Sequence, residues 1–335
     1  MSPPADAAGV VDATEDWFID HGLPWFVDDR RDRAASALRV TPVVGLLLVA
    51  GLVGAGVGSV VGFWRGDATL GMFTGLVTGG VVLVAYSFSV LSGWSIVRWA
   101  VRRTLASLGL VFPLITRALP LLLLFLTFLF INTEVWQVAS SMDKPLLWVT
   151  VLLFAALAVA FLLARLPDEV DAVEHDVRDQ RLADCCTGTP MAEVASGLGD
   201  VTGIDAVRGL QRANLLLVLL LAQAVQVLLL STAVFAFFAV FGRLAITPEV
   251  VDAWLGHEPR YVGDVKLVST ELFHVALFLA GFAGLYFTVY AVTDRTYREQ
   301  FFTHISHDLE RAVGVRTAYL AVRRLGDGRP AGPEG

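Results

Sequence analysis

GAGVGSVVGFWRGDATLGMFTGLVTGG, residues 54 to 80, carries glycine at every fourth position on both sides of an Arg65-Gly66-Asp67 turn. Gly54, Gly58 and Gly62 climb one side, and Gly71, Gly75 and Gly79 mirror them on the other. Folded back on itself, the stretch sets Gly62 opposite Gly71, Gly58 opposite Gly75 and Gly54 opposite Gly79 at matching depths. The residues between are almost all apolar. Within lipid no hydrophobic force drives helices together, so association depends on close packing, which small residues every fourth position allow. The pattern therefore reads as a glycine-packed hairpin of two membrane helices.

The rest of the chain fits that reading. Of its 335 residues 56% are hydrophobic and 17% charged, and the mean hydropathy is +0.66, well above a soluble domain. Six apolar runs approach the roughly 20 residues needed to cross a bilayer. They are Val43 to Phe63, Leu70 to Leu91, Ala118 to Ala139, Leu146 to Leu163, Leu215 to Phe241 and Leu272 to Val292. The expected fold is all-α and polytopic, with six transmembrane helices. No cleavable leader is expected, because the first apolar run follows some forty polar and mixed residues that end in an arginine cluster.

Basic residues give the topology. Twenty of the 25 lie on one side of this six-span scheme, and the other side holds five, Arg65, Lys144, Arg243, Arg260 and Lys266. The positive-inside rule then puts both termini in the cytoplasm. A net charge of -7, with basic residues spread by topology instead of forming a patch, gives no reason to expect nucleic acid. The expected partners are the lipid bilayer, a small solute or ion, and, in an alternative reading, a protein on the cytoplasmic face.

This scheme divides the chain into segments. Residues 1–40 form a cytoplasmic or interfacial helix, broken at Gly22 and Pro24 between the pairs Trp17-Phe18 and Trp25-Phe26. Those aromatics suit either a membrane interface or a docking face on the protein itself. Residues 41–164 carry the first four spans, with an amphipathic elbow at 97–117 whose Arg98, Arg102 and Arg103 suit anionic headgroups. Residues 165–212 are a cytoplasmic insert in which Pro167, followed by two acids, should open a helix. Spans five and six fill 213–292, a cytoplasmic helix runs over 293–325, and 326–335 is a Gly/Pro-rich tail expected to be disordered.

WFIDHGLPWFV, FLFINTEVWQ and GLYFTVYAVTDRTYREQFF resemble stretches of uncharacterised multi-span membrane proteins of high-GC Gram-positive, actinobacterial bacteria. The use of 23 Arg to 2 Lys fits such a genome. The resemblance covers most of the chain and implies localisation and topology, with no activity and no site attached.

Polar residues inside the apolar runs are the candidate site. In FLFINTEVWQVA, residues 128–139, Asn132, Glu134 and Gln137 interrupt span three. On a straight outward-running helix Glu134 would lie roughly 5 Å from the midplane. Gln223 and Gln226 occupy span five, and Glu271 and His274 share a face near the outer end of span six. Intramembrane ionisable groups mark functional sites by default. In a transport reading Glu134 is a protonatable carboxylate assisted by Asn132 and Gln137, with Glu271 and His274 as an outer vestibule. In a structural reading Glu134 accepts hydrogen bonds from neighbouring helices and fixes their packing. A metal reading joins Glu134 to Glu271-x-x-His274, but the second half of such a carboxylate site is missing. The loop over residues 245–268, with Trp254, His257 and Tyr261 among acids, caps the bundle or forms an ordinary interfacial lid.

Cys185 and Cys186 fall on the expected cytoplasmic side, so they should be reduced. A metal shared with His304 and His307 is a weaker alternative, because no CxxC spacing supports it. No cofactor or metal is expected. The absence of a P-loop, GxGxxG, HExxH or a nucleophile paired with a base points away from an enzyme. Movement of a small solute or ion is the functional expectation, with a non-catalytic membrane scaffold or assembly partner as the alternative.

Overall fold

The computed structural model describes residues 7–90, 92–106, 122–179, 182–198, 206–261, 268–293 and 295–326. The second half of the elbow (107–117), the start of span three (118–121), residues 199–205 of the insert, Lys266 and the tail from 327 lie outside them. Among the described residues the fold is helical, with a single isolated bridge between Tyr261 and Ser269 and no strand.

In chain order the helices are α1 (Ala7–Asp20), α2 (Asp28–Ala37), α3 (Val40–Arg65), α4 (Ala68–Val90) and α5 (Gly93–Ala106). Next come α6 (Leu122–Phe130), α7 (Thr133–Ser141), α8 (Lys144–Asp179), α9 (Leu182–Cys185) and α10 (Ala192–Leu198). The series closes with α11 (Gly209–Ala245), α12 (Pro248–Leu255), α13 (Thr270–Thr293) and α14 (Arg295–Gly326). A 3-10 turn, Pro24–Phe26, separates α1 from α2. Four helices among the described residues are long and apolar enough to cross a membrane: α3, α8 over Lys144–Ala172, α11, and α13 over Thr270–Ala291. A fifth span results if α6 and α7 are one broken crossing; α4 contributes a shorter apolar stretch, Leu70–Tyr86.

The chain divides into two compact units. One comprises Met1–Arg102, Pro167–Leu221 and Ile305–Gly335. Its interior centres on α14, where every residue from Ala312 to Tyr319 is buried. Phe18 meets Tyr319 edge-on at 5.8 Å between ring centroids and Phe26 at 5.3 Å. Of the two expectations for the N-terminal aromatics, docking on the protein is therefore the one seen: Phe18, Trp25 and Phe26 are buried. Asn214, fully buried, fixes the break. Its Nδ2 donates to the Gly22 carbonyl and its Oδ1 accepts from the Trp25 N–H, so the turn's buried backbone groups find partners.

The α3–α4 hairpin belongs to this unit. Gly66, at φ 64°, ends α3 in the left-handed conformation and donates its N–H to Gly62, as a glycine helix terminus should. A Cβ on Gly54 would lie 2.5 Å from the Gly75 carbonyl oxygen, and one on Gly58 2.5 Å from that of Gly71. Gly62 packs against Gly71, and Gly79 against the Ala50 carbonyl. Most other hairpin residues are exposed, Phe63 at 88% and Met72 at 71% among them.

The second unit comprises Arg103–Leu166 and Ala222–His304. Its core is formed by Leu126, Phe130 and Trp136 with Val234, Phe238 and Leu279. Gly242 meets Leu272, and Gly284 meets Ser231 and Val227. These contacts set α11 and α13 antiparallel in a constant register. Two expectations change here. Span three is not one straight helix: α6 and α7 meet at 74°. Nor does Pro167 open a helix, because it lies inside α8. Pro167 has no N–H for the Leu163 carbonyl, yet the helix continues through it to Asp179.

Candidate functional site

The break in span three is built from the residues that interrupt it. In a continuous helix the Glu134 N–H would donate to the Phe130 carbonyl. Here Glu134 N–H donates to Asn132 Oδ1 at 2.7 Å, making Asn132 the N-cap of α7. The Phe130 carbonyl instead accepts from Trp136 Nε1 at 2.7 Å. These two backbone groups are thereby satisfied. Glu134 stands in the first turn of α7, where a carboxylate complements the helix dipole, and it is exposed. The depth expected from a straight helix does not apply to a helix that turns by 74° at Ile131 and Asn132, just before Glu134.

Gln137 is also exposed; its Nε2 donates to the Trp254 carbonyl at 3.1 Å. Trp254 in turn packs edge-on against Trp136, with centroids 5.5 Å apart. Helix α12 is thus fastened over the break, and the Glu134 carboxylate takes no part.

Glu271 and His274 are different. They occupy adjacent turns at the start of α13, and Glu271 is fully buried while His274 is 6% exposed. Arg260 approaches Glu271 twice, through its Nε to Oε1 at 3.0 Å and its backbone N–H to Oε2 at 3.1 Å. The Arg260 carbonyl accepts from Thr270 N–H at 2.7 Å. A buried carboxylate survives only when paired and hydrogen-bonded, and both Glu271 oxygens are. The His274 ring faces Ala139 of α7, and its Nδ1 has no hydrogen-bond partner.

Beside them opens a polar cavity of about 690 Å³ lined by Gln137, Ser140, Ser141, Met142, Asp143 and Lys144, and by Leu255, His257, Arg260, Thr270 and His274. It brings together Gln137 and His274 of the expected site. It excludes Asn132, Glu134, Gln223, Gln226 and Glu271, which touches the lining only through Arg260. Composition had shown Lys144 and Arg260 only as exceptions on the basic-poor side, and that was the available signal. Their convergence needs the folded loops.

Gln223 is fully buried with neither amide atom bonded, and Gln226 Oε1 likewise has no partner. By the α11–α13 register Gln226 lies level with Thr288, fourteen residues from His274, or about 21 Å along the axis. Leu230, Val234, Phe238, Val275 and Leu279 fill that interval. A larger groove, of about 930 Å³, runs along the glycine faces of α3 and α4; its walls are glycine, alanine and larger apolar side chains with Ser59, and hold no charged group among the described residues.

In the other unit Cys185 and Cys186 are buried free thiols. Burial pushes Cys186 up to about 12 and raises Cys185 with the help of Glu310 and Asp184. Such thiols are poor nucleophiles and metal ligands. Cys185 packs against Gly314, and among the described residues no group of three or more His, Cys, Asp or Glu assembles for a metal ion.

The chain matches no family model, no curated protein and no solved structure.

Proposed function

We propose that the chain is a six-span protein of the bacterial cytoplasmic membrane, with both termini in the cytoplasm, that moves a small solute or ion through its helix bundle. Long apolar helices support membrane insertion, and the twenty-to-five division of basic residues supports the orientation. In this scheme α4 and the broken α6–α7 pair supply two of the six crossings. The observation that carries the transport reading is the polar cavity beside Glu271 and His274. A buried carboxylate that holds an exposed arginine at a cavity, with an unpartnered ring nitrogen in the same lining, marks a working site more readily than a packing contact. In this reading the carboxylate that matters is Glu271 in place of Glu134, and it acts by positioning Arg260 at the cavity.

The 21 Å interval of apolar side chains between His274 and Gln226 is the closed gate of this reading. It also favours a second one, a membrane scaffold, since a packed dry core needs no substrate. Flux separates the two. Full-length protein in proteoliposomes should pass protons, potassium or small anions above the level of empty vesicles. Glu271→Gln should lower that flux at least about tenfold, whereas Glu134→Gln stays within about twofold of wild type. No flux under any imposed gradient overturns transport in favour of the scaffold.

A further inference from the structure

Lys144 and Arg260 are two of the five basic residues on the side of the topology that is otherwise poor in them, and both line the same cavity. Their position there is not a product of general surface charge. Arg260 is held at three points, by Nε and backbone N–H on Glu271 and by its carbonyl on Thr270 N–H. With the Nε edge committed, the two Nη groups remain without a hydrogen-bond partner among the described residues, on a side chain that is 66% exposed. A guanidinium fixed in this way is preorganised to meet a planar or tetrahedral oxyanion. Arg260 and Lys144 both lie within electrostatic reach of the His274 ring, so the two cations address one space. Against them the lining carries, among the described residues, a single carboxylate, Asp143. Glu271 cannot serve a cation, because Arg260 occupies both its oxygens. Thr270 adds a hydroxyl to the lining, while the Ser140 and Ser141 hydroxyls donate to the Gln137 and Val138 carbonyls.

We propose that this cavity binds a small oxyanion, a carboxylate or phosphate compound, between Arg260 and Lys144. The proposal rests on the cavity being the solute site of the transport reading, whose substrate class it names. At about 690 Å³ the space holds a small organic anion with its bridging waters.

The test is equilibrium binding of radiolabelled inorganic phosphate and of succinate to the purified full-length protein in detergent, with choline as the cationic control. One or both anions should bind saturably and choline should not; which anion binds tells phosphate from carboxylate. Lys144→Gln, at an exposed position where folding is preserved, should weaken binding about tenfold. Asp143→Asn should tighten it severalfold by removing the one opposing charge, a gain that a merely structural role does not produce. Choline binding alone, no saturable anion binding, or unchanged affinity in both variants overturns the proposal. Anion binding without flux upholds it while overturning transport. Cation flux without anion binding does the reverse.

Discussion

Trp136 donates its indole N–H to Phe130 O, the carbonyl that loses its helical donor when the chain turns at Ile131. The ring is fully buried and is packed by Phe130 at 5.6 Å and Trp254 at 5.5 Å. Trp136→Phe keeps most of the packing but leaves that carbonyl unpaired, which should cost about 1–3 kcal/mol. Asn132→Ala removes the cap and should cost about 1 kcal/mol. Glu134→Gln, on an exposed side chain, should stay within about 0.5 kcal/mol. Thermal unfolding in detergent, followed by size exclusion, ranks the three. A Glu134→Gln loss as large as that of Trp136→Phe would return the carboxylate to the centre of the site.

The hairpin and the broken helix show how far pattern carries at the scale of elements. Pairing of the glycines across the Arg65-Gly66-Asp67 turn was legible because a four-residue repeat places all three on one helical face. Within that face the structure grades the positions. A Cβ on Gly54 or Gly58 would strike a carbonyl oxygen at 2.5 Å, whereas Gly51 and Gly56 have nothing within 4 Å. Gly58→Ala should therefore destabilise the protein by about 1–3 kcal/mol through overpacking, and Gly56→Ala should leave it unchanged or slightly more stable. Equal melting temperatures for the two variants would contradict the close approach. The break in span three had its signal too, an Asn followed by Thr and Glu inside an apolar run, which reads as a helix start. Hydropathy hid it, because averaging over a span does not see a local cap. Pro167 misled in the opposite direction, since α8 runs through it without a break.

At the scale of the molecule the C-terminal helix is a core element of its unit, not an appendage. Tyr319 donates to Glu15 Oε1 at 2.6 Å, Arg323 pairs with Asp28, and Arg316 Nε donates to Gln211 Oε1 at 2.9 Å. The N-terminal segment, α11 and α14 are thus joined across nearly the whole chain length. His21 sits in the same unit, stacked on Trp17 at 4.0 Å, with Asp20, Asp308 and Arg311 acting on it. Burial lowers its imidazole below the usual 6.5. The unfolded chain consequently takes up this proton at higher pH than the folded one. The contribution of His21 to stability is complete above about pH 6.5 and is lost as pH falls through the folded value. Melting temperatures measured from pH 8 to 5 should drop below pH 6.5, and less steeply in His21→Gln. Identical profiles would remove His21 as the cause.

Sequence by itself determined what depends on composition and spacing: a helical chain with membrane-length apolar runs, the glycine faces of the hairpin, and which polar residues interrupt the apolar segments. These are local properties, because partition into lipid and helical periodicity are summed residue by residue. Tertiary structure decided the rest. Burial of Glu271 and exposure of Glu134 reverse what depth along straight helices implied, since burial depends on which helices turn and what packs over them. Arg260 reaches Glu271 across eleven residues, and Asn214 reaches Gly22 across 192. No periodicity encodes a pairing that only folding brings within 3 Å.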